Sequence, residues 1–213
     1  MFKAVLWDFG GVITSSPFEA FNRYEADNDL PKDFLRSINA TDPETNAWAQ
    51  LESSQVSVDE FDELFAREAE TRGHRVMGKE VLDLLSGDVR PEMVSALGII
   101  KQNYRIGCIT NNVNTGQGPG MAKTSDKASQ VAEIMAMFDV VIESSKVGIR
   151  KPDPKIYQMT CEQMSIAPEE TIYLDDLGIN LKPARTLGLA TIKVLNANQA
   201  LADLEKLLGI QLR

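Results

Sequence analysis

A chain of 213 residues, 43% of them hydrophobic and 25% charged, has ordinary globular composition and is long enough for one α/β domain with a modest insertion. This composition excludes a fibrous repeat and a disordered chain. The net charge of -9 repels phosphate backbones, so nucleic acid is not an expected partner.

The chain begins with a short apolar run at residues 2–7, which ends at Asp8 and two glycines. This pattern is typical of a buried strand that leads into a loop. The run is too short for an export signal, and no stretch approaches the roughly 18 apolar residues of a membrane span. The two cysteines, Cys108 and Cys161, lack CxxC spacing, and Cys108 lies in an apolar run that predicts a buried free thiol. We therefore expect an unexported, cytoplasmic protein.

Helical periodicity dominates the chain from about residue 15 to residue 90. Aromatic and aliphatic side chains recur there at helical spacing in four stripes, without the alternation of a strand. Ser57 followed by Glu60 matches a capping box at the start of one helix. We predict that residues 16–90 are a helical insertion.

After Pro91 the pattern changes to alternating helices and strands, which predicts a parallel sheet covered by helices on both faces. The insertion would then divide an α/β core domain into residues 1–15 and 91–213. The predicted strands are 105–110, 138–142, 171–174 and 191–194. The predicted helices pass through Met93 and Ile100, 129–137, 154–164, Leu187 and Leu208.

A glycine-rich stretch at residues 115–120 lies between a predicted strand and the next helix. It lacks the Lys-Ser/Thr pair of a P-loop and the helix start of a dinucleotide fingerprint, so we predict a flexible loop. The chain has one histidine, His74, which excludes a metal cage built from several histidines.

Polar side chains follow four of the predicted strands. Ligands of open parallel sheets bind beyond the carboxyl ends of the strands, so these residues are the candidates for a site. They are Asp8, Thr110 with Asn111 and Asn112, Lys151, and Asp175 with Asp176.

These residue types suit phosphoryl transfer. Asp8 is the candidate nucleophile, because a carboxylate that attacks phosphorus forms an acyl phosphate that water can cleave. Asp8, Asp175 and Asp176 are candidate ligands of Mg²⁺, which prefers oxygen and offsets the repulsion between clustered carboxylates. Thr110 and Lys151 are candidates for holding the phosphate oxygens and the developing negative charge.

Four segments together resemble the four ordered motifs of the haloacid dehalogenase superfamily. They are residues 8–12 (DFGGV), 110–112 (TNN), 150–154 (RKPDP) and 175–176 (DD). The helical insertion resembles the superfamily's C1 cap. The stretch 140–195 is similar to the phosphatase-like domains at the N-terminus of soluble epoxide hydrolase and of some acyl-CoA dehydrogenase family proteins.

The resemblance covers essentially the whole chain and implies a Rossmann-like core. It also implies a Mg²⁺-dependent phosphomonoesterase that acts on a small phosphorylated metabolite or lipid-like phosphate through an aspartyl-phosphate intermediate. Asp8 would be nucleophile and metal ligand, the backbone carbonyl of Gly10 a further ligand, and Asp175 a direct ligand. Asp176 and Asn180 would act on the metal through water or orient the loop. The implied substrate-binding residues are Thr110, Asn111 and Lys151. The oligomeric state stays open.

One position departs from the superfamily's pattern. Its phosphatases usually carry a second aspartate two residues after the nucleophile as general acid and base, and this chain has Gly10 there. Proton transfer of this kind contributes roughly 10² to 10⁴ in rate, so the alternative function is a catalytically weak or inactive binding or regulatory module. A dehalogenase is disfavoured by the retained acid pair. A phosphonatase is disfavoured because Lys32 and Lys79, the candidate Schiff-base lysines, lack a supporting pattern.

Overall fold

The computed structural model describes residues 1–113 and 124–213, and a parallel sheet lies at its centre. The predicted glycine-rich loop at residues 115–120 lies outside the described residues. The five strands are β1 (Ala4–Trp7), β2 (Arg105–Thr110), β3 (Val140–Glu143), β4 (Thr171–Asp175) and β5 (Ala190–Lys193). Their order is β3-β2-β1-β4-β5, and every pair is parallel.

The strand order reverses direction at β1, which pairs with β2 on one side and with β4 on the other. A parallel sheet opens a crevice at such a switch point, beyond the carboxyl ends of the strands. Trp7 is level with Leu174 in the register of β1 and β4, so the next residues along the two strands are Asp8 and Asp175. The topology therefore brings two of the predicted acids to the switch point.

Helices cover both faces of the sheet. They are α6 (Pro91–Ile100), α7 (Ser125–Met135), α8 (Ser144–Val147), α9 (Pro154–Met164), α10 (Gly178–Thr186) and α11 (Ala197–Leu208). Val5 and Trp7 of β1 belong to the hydrophobic cluster that includes side chains of α6, α7 and α11. Ala4 and Leu6 belong to the opposite cluster, with α9 and α10. Alternate side chains of β1 thus point to opposite faces, and the predicted α/β fold with a doubly covered parallel sheet is confirmed.

Four predicted boundaries were wrong by two to four residues, and one of them is the end of α7, which lies at Met135 instead of residue 137. β1 begins at Ala4 instead of Phe2. Helix α7 begins at Ser125 instead of residue 129, because the Thr124 side chain accepts a hydrogen bond from the backbone of Lys127 and caps it. Strand β3 begins at Val140 instead of residue 138. Both cysteines are free and buried, as predicted for Cys108.

Between β1 and α6 the chain forms helices with a hydrophobic core of their own. The helices are α1 (Pro17–Asp27), α2 (Phe34–Asn39), α3 (Ala47–Glu52), α4 (Val58–Glu70) and α5 (Gly78–Leu82). Their core is centred on the aromatic side chains of Trp48, Phe61 and Phe65. The predicted capping box of Ser57 and Glu60 is confirmed.

The segments that lead into and out of this helical insertion run side by side. Thr14 and Val89 form an isolated antiparallel bridge, and the backbone N–H of Ser15 donates to the carbonyl of Asp88 at 2.7 Å. We therefore propose that residues 16–90 form a cap on the core, and that the two segments that connect the cap to the core lie side by side. No helix within the described ranges has the length and hydrophobicity to cross a bilayer.

Candidate active site

Three acidic side chains meet at the carboxyl edge of β1 and β4. Asp8 follows β1 directly, and its backbone N–H donates to the carbonyl of Leu174 at 2.9 Å. Asp175 ends β4, and Asp176 begins the loop after it. One carboxylate oxygen from each of the three lies within 4.8 Å of the others. The structure therefore brings together the acids that the sequence predicted as metal ligands.

Lys151 places its ammonium between two of these acids. Its Nζ lies 2.7 Å from Asp8 Oδ2 and 2.9 Å from Asp175 Oδ2, and its side chain is 1% exposed. Burial alone would lower the pKa of Lys151, but the charges of Asp175 and Asp8 outweigh burial and raise it. The ammonium therefore stays charged and supplies a fixed positive centre at the sheet edge.

Asn111 holds the backbone of Lys151. The N–H of Lys151 donates to Asn111 Oδ1 at 2.8 Å, and Asn111 Nδ2 donates to the carbonyl of Lys151 at 3.0 Å. This paired contact fixes the loop that carries the ammonium. We expected Asn111 to contact substrate directly. In the structure both ends of its amide bind the chain, and contact with substrate stays a prediction.

Asp175 is fully buried, and both of its oxygens accept hydrogen bonds. Oδ1 accepts from the backbone N–H of Leu177 at 2.7 Å, and Asn180 donates to both oxygens at 3.1 Å. The hydroxyl of Tyr173 also donates to Oδ2. The predicted orienting role of Asn180 has this contact in its support. Tyr173 was not among the predicted site residues. Its position two residues before Asp175 in a strand puts both side chains on one face, which could have indicated the contact.

The second glycine of the first motif makes room for Asp176. Gly11 has a φ of 76°, which disfavours other residues, and a Cβ there would lie 2.2 Å from Asp176 Oδ2. Ser16, from the start of the insertion, donates its hydroxyl to the same oxygen at 3.1 Å. Burial, and then the charge of Asp175, raise the pKa of Asp176 to about 6.

Gly10 lies on the wall of the cavity beside Asp8. A Cβ at this position would meet no atom within 4 Å, and its φ is not in the left-handed region. The backbone would therefore accept a side chain here. The missing acid is a property of this sequence and not a demand of the fold.

The cluster fits a divalent cation. Three carboxylates share this part of the site with one lysine, so negative charge exceeds positive charge there. The pKa of Asp8 is raised well above its ordinary value by burial, with Asp175 and Asp176 adding to the rise and Lys151 opposing it. Oxygen donors with unmet negative charge are the set that Mg²⁺ prefers. Asp8, Gly10 and Asp176 line the cavity, while Asp175 lies behind it as the most enclosed member.

Thr110 completes the predicted set at the end of β2. Its side chain is buried, and the residue lines the same cavity as Asp8 and Lys151. The hydroxyl makes a contact of 3.5 Å with the carbonyl of Asn111, which is longer than a normal hydrogen bond between oxygens. It is therefore available to a phosphate oxygen.

Asp176 gives the metal-free protein a testable pH dependence. Its pKa is raised from the ordinary 3.8 to about 6, so between these values the unfolded chain binds fewer protons than the folded one. The free energy of unfolding should then fall as pH rises through this window, by at most about 1.4 kcal/mol per pH unit. Urea unfolding of wild type and Asp176→Asn in a chelator measures the difference. If the free energy of unfolding depends on pH in the same way in both proteins, the pKa of Asp176 is not raised.

A cavity of about 450 Å³ extends from Asp8 to the helices of the insertion. The site residues form one end. Apolar side chains form much of the remaining wall, among them Pro17, Phe18, Phe21, Trp48, Leu85, Val113, Leu177 and Ile179. Arg36, Glu52 and Arg150 also line it, and neither Arg36 nor Glu52 was among the predicted site residues. Enclosure of this kind is typical of small-molecule sites.

Comparison with known proteins relates the chain to hydrolases. The family model of the haloacid dehalogenase-like hydrolases matches residues 2–188. Acyl-CoA dehydrogenase family member 10 of Mus musculus is 32% identical in an alignment of length 217, which covers 99% of this chain and 20% of that protein. Bifunctional epoxide hydrolase 2 of Mus musculus is 30% identical in an alignment of length 222, which covers 98% of this chain and 39% of that protein. The chain thus spans less than half the length of these two relatives.

One shorter relative matches the chain along most of its own length. Phosphatase MT3486 of Mycobacterium tuberculosis (strain CDC 1551 / Oshkosh) is 25% identical over 92% of this chain and 89% of that protein. A haloacid dehalogenase family enzyme of Bacteroides thetaiotaomicron, crystallised with magnesium and inorganic phosphate, has the same fold. Its TM-score is 0.60 at 21% identity, over 90% of this chain and 93% of that chain. The resemblance in the four motifs is confirmed, and this chain belongs to the haloacid dehalogenase-like hydrolase family.

Proposed function

We propose that this chain is a Mg²⁺-dependent phosphomonoesterase that forms an aspartyl phosphate on Asp8. The observation that carries the proposal is the carboxylate cluster of Asp8, Asp175 and Asp176 at one end of the cavity, with the buried ammonium of Lys151 between Asp8 and Asp175. The phosphatase among the relatives and the fold neighbour crystallised with magnesium and phosphate support it.

The metal would be held by Asp8, the carbonyl of Gly10, Asp175 and Asp176. When bound, it would supply positive charge that offsets the repulsion between the nucleophile and the substrate phosphate. The hydrogen bonds of Asp175 to Leu177 and Asn180 keep its carboxylate in a fixed orientation.

Asp8 attacks phosphorus through a carboxylate oxygen, the bond to the leaving oxygen breaks, and an acyl phosphate remains on Asp8. Lys151 opposes the rise in the pKa of Asp8 that burial causes, and it adds positive charge where negative charge develops. The Thr110 hydroxyl donates to a non-bridging oxygen of the phosphate. Water then attacks the phosphorus of the acyl phosphate and restores the carboxylate. With Gly10 in place of an acid, this second step lacks a general base at the usual position.

The cavity favours substrates with an apolar body. Its wall between Asp8 and the cap is formed largely by aromatic and aliphatic side chains, which gain from contact with hydrocarbon and leave sugar hydroxyls unpaired. Of the two substrate classes that the resemblance implies, a lipid-like phosphate matches this wall better.

Gly10 favours one other function, a binding or regulatory module with little or no turnover. The site would then bind a phosphorylated ligand without cleaving it. A phosphonatase has less support, because in the described part of the chain neither Lys32 nor Lys79 lines the cavity, and Lys79 pairs with Asp59 at 2.6 Å. The acid pair argues likewise against a dehalogenase.

A phosphate ester panel separates these functions. We expect hydrolysis of an activated aryl phosphate with Mg²⁺, loss of hydrolysis in excess chelator, and recovery when Mg²⁺ is returned. Alkyl and isoprenyl phosphates should have a higher kcat/KM than sugar phosphates. Binding of phosphate esters without turnover would support the module, and hydrolysis that persists in chelator would refute the proposed chemistry.

A further inference from the structure

The last residue of α3 connects the insertion to the core. Glu52 Oε2 accepts a hydrogen bond from Arg150 Nε at 2.6 Å and a longer one from Asn111 Nδ2 at 3.3 Å. Arg150 also donates through Nη1 to the carbonyl of Pro43, in the loop before α3. Two points of the cap therefore hold one arginine of the core.

This contact adjoins the frame of the catalytic lysine. Arg150 directly precedes Lys151, and Asn111 holds the N–H and the carbonyl of Lys151 at 2.8 and 3.0 Å. Of the two core partners of Glu52, Asn111 thus holds the Lys151 backbone by hydrogen bonds, and Arg150 is joined to it in the chain. Hydrogen bonds therefore run from Glu52 through Asn111 to the backbone of Lys151, whose side chain carries the ammonium between Asp8 and Asp175.

The pair of Glu52 and Arg150 is well enclosed. Their side chains are 16% and 23% exposed, so solvent screens the pair less than an exposed ion pair. Loss of one partner would leave the other charged and only partly hydrated. The ion pair of Glu52 and Arg150 is therefore a strong contact between the cap and the core in this arrangement.

We infer that Glu52 is a positioning residue through which the cap controls the placement of Lys151. The inference rests on the proposed function, because it concerns the ammonium that meets the developing charge on phosphate. A displacement of about 1 Å at a charged group can cost ~10²-fold in rate. Phosphoryl transfer is then fast only while the cap encloses the substrate, which couples substrate enclosure to chemistry.

The test replaces Glu52 and measures how tightly the site binds the transition state separately from how tightly it binds the ground state. Glu52→Ala is expected to lower kcat for an aryl phosphate by about 10- to 100-fold with KM unchanged, and Glu52→Gln to lower it less. Affinity for orthovanadate with Mg²⁺, which resembles the transition state, should fall by a similar factor, while affinity for inorganic phosphate stays the same. Adding Arg150→Met to Glu52→Ala should cause little further loss, because the two residues act as one unit.

Ser54→Ala is the matched control, since the Ser54 hydroxyl crosses the same boundary to the carbonyl of Ser145 at 2.8 Å without touching the lysine frame. Its kcat is expected to equal that of wild type. Equal effects of Ser54→Ala and Glu52→Ala, or a rise in KM with kcat unchanged, would overturn the inference while leaving the proposed function intact. A wild type that neither hydrolyses aryl phosphate nor binds vanadate would overturn the proposed function and this inference with it.

Discussion

Asp8→Asn is expected to lower kcat for an aryl phosphate by at least about 10⁴-fold, because an amide cannot form the acyl phosphate. The exchange keeps the size of the side chain and leaves Lys151 paired with Asp175. Steady-state assays with saturating Mg²⁺ measure the loss.

The same exchange should not unfold the protein. The raised pKa of Asp8 means that its charge is disfavoured in the folded state, chiefly through burial. Removing that charge is therefore expected to leave the metal-free protein at least as stable as wild type at neutral pH. Asp27→Asn, at the exposed end of α1, is the control and should retain full activity. An Asp8→Asn protein with wild-type turnover would show that Asp8 is not the nucleophile.

Gly10→Asp is expected to raise kcat for an alkyl phosphate by roughly 10²-fold or more. An alkoxide leaves poorly without a proton, and the water that cleaves the acyl phosphate needs a base, so an acid beside Asp8 assists both steps. The site has room for it, because a Cβ at position 10 meets no atom within 4 Å. The measurement is kcat for paired alkyl and aryl esters with wild type and variant.

Gly178→Asp is the control for the added charge. Gly178 is also a glycine with open space and without a left-handed φ, but it begins α10 and does not line the cavity. It is expected to give no gain. If Gly10→Asp folds, binds Mg²⁺ and gains nothing with the alkyl ester, then proton transfer is not what limits this enzyme.

Most of the fold followed from the sequence, because buried parallel strands and amphipathic helices have different periods. The bounds of β2 and α9 agree with prediction at both ends. The largest error occurred where a local side chain decides the boundary. Thr124 starts α7 four residues earlier than its apolar pattern indicates.

In the site, too, some residues were predictable from the sequence and others were not. The acids and Lys151 were predictable because parallel strands end at one edge, so order along the chain implies proximity. Glu52 was not, because no local pattern tells which residue of a helical insertion faces the core. Nor could composition show that the amide of Asn111 holds the Lys151 backbone, since that contact depends on how two loops meet.

The most direct test of Asp8 as nucleophile is the first turnover of an aryl phosphate with Mg²⁺, followed by rapid mixing and acid quenching. The aryl group leaves without a proton, while the second step lacks a base at Gly10, so the intermediate should accumulate. We predict a burst of phenolate close to one per active site, and a phosphoryl group on the peptide that contains Asp8. Steady turnover from the first cycle, with no phosphoryl group on Asp8 in the quenched enzyme, would contradict this account.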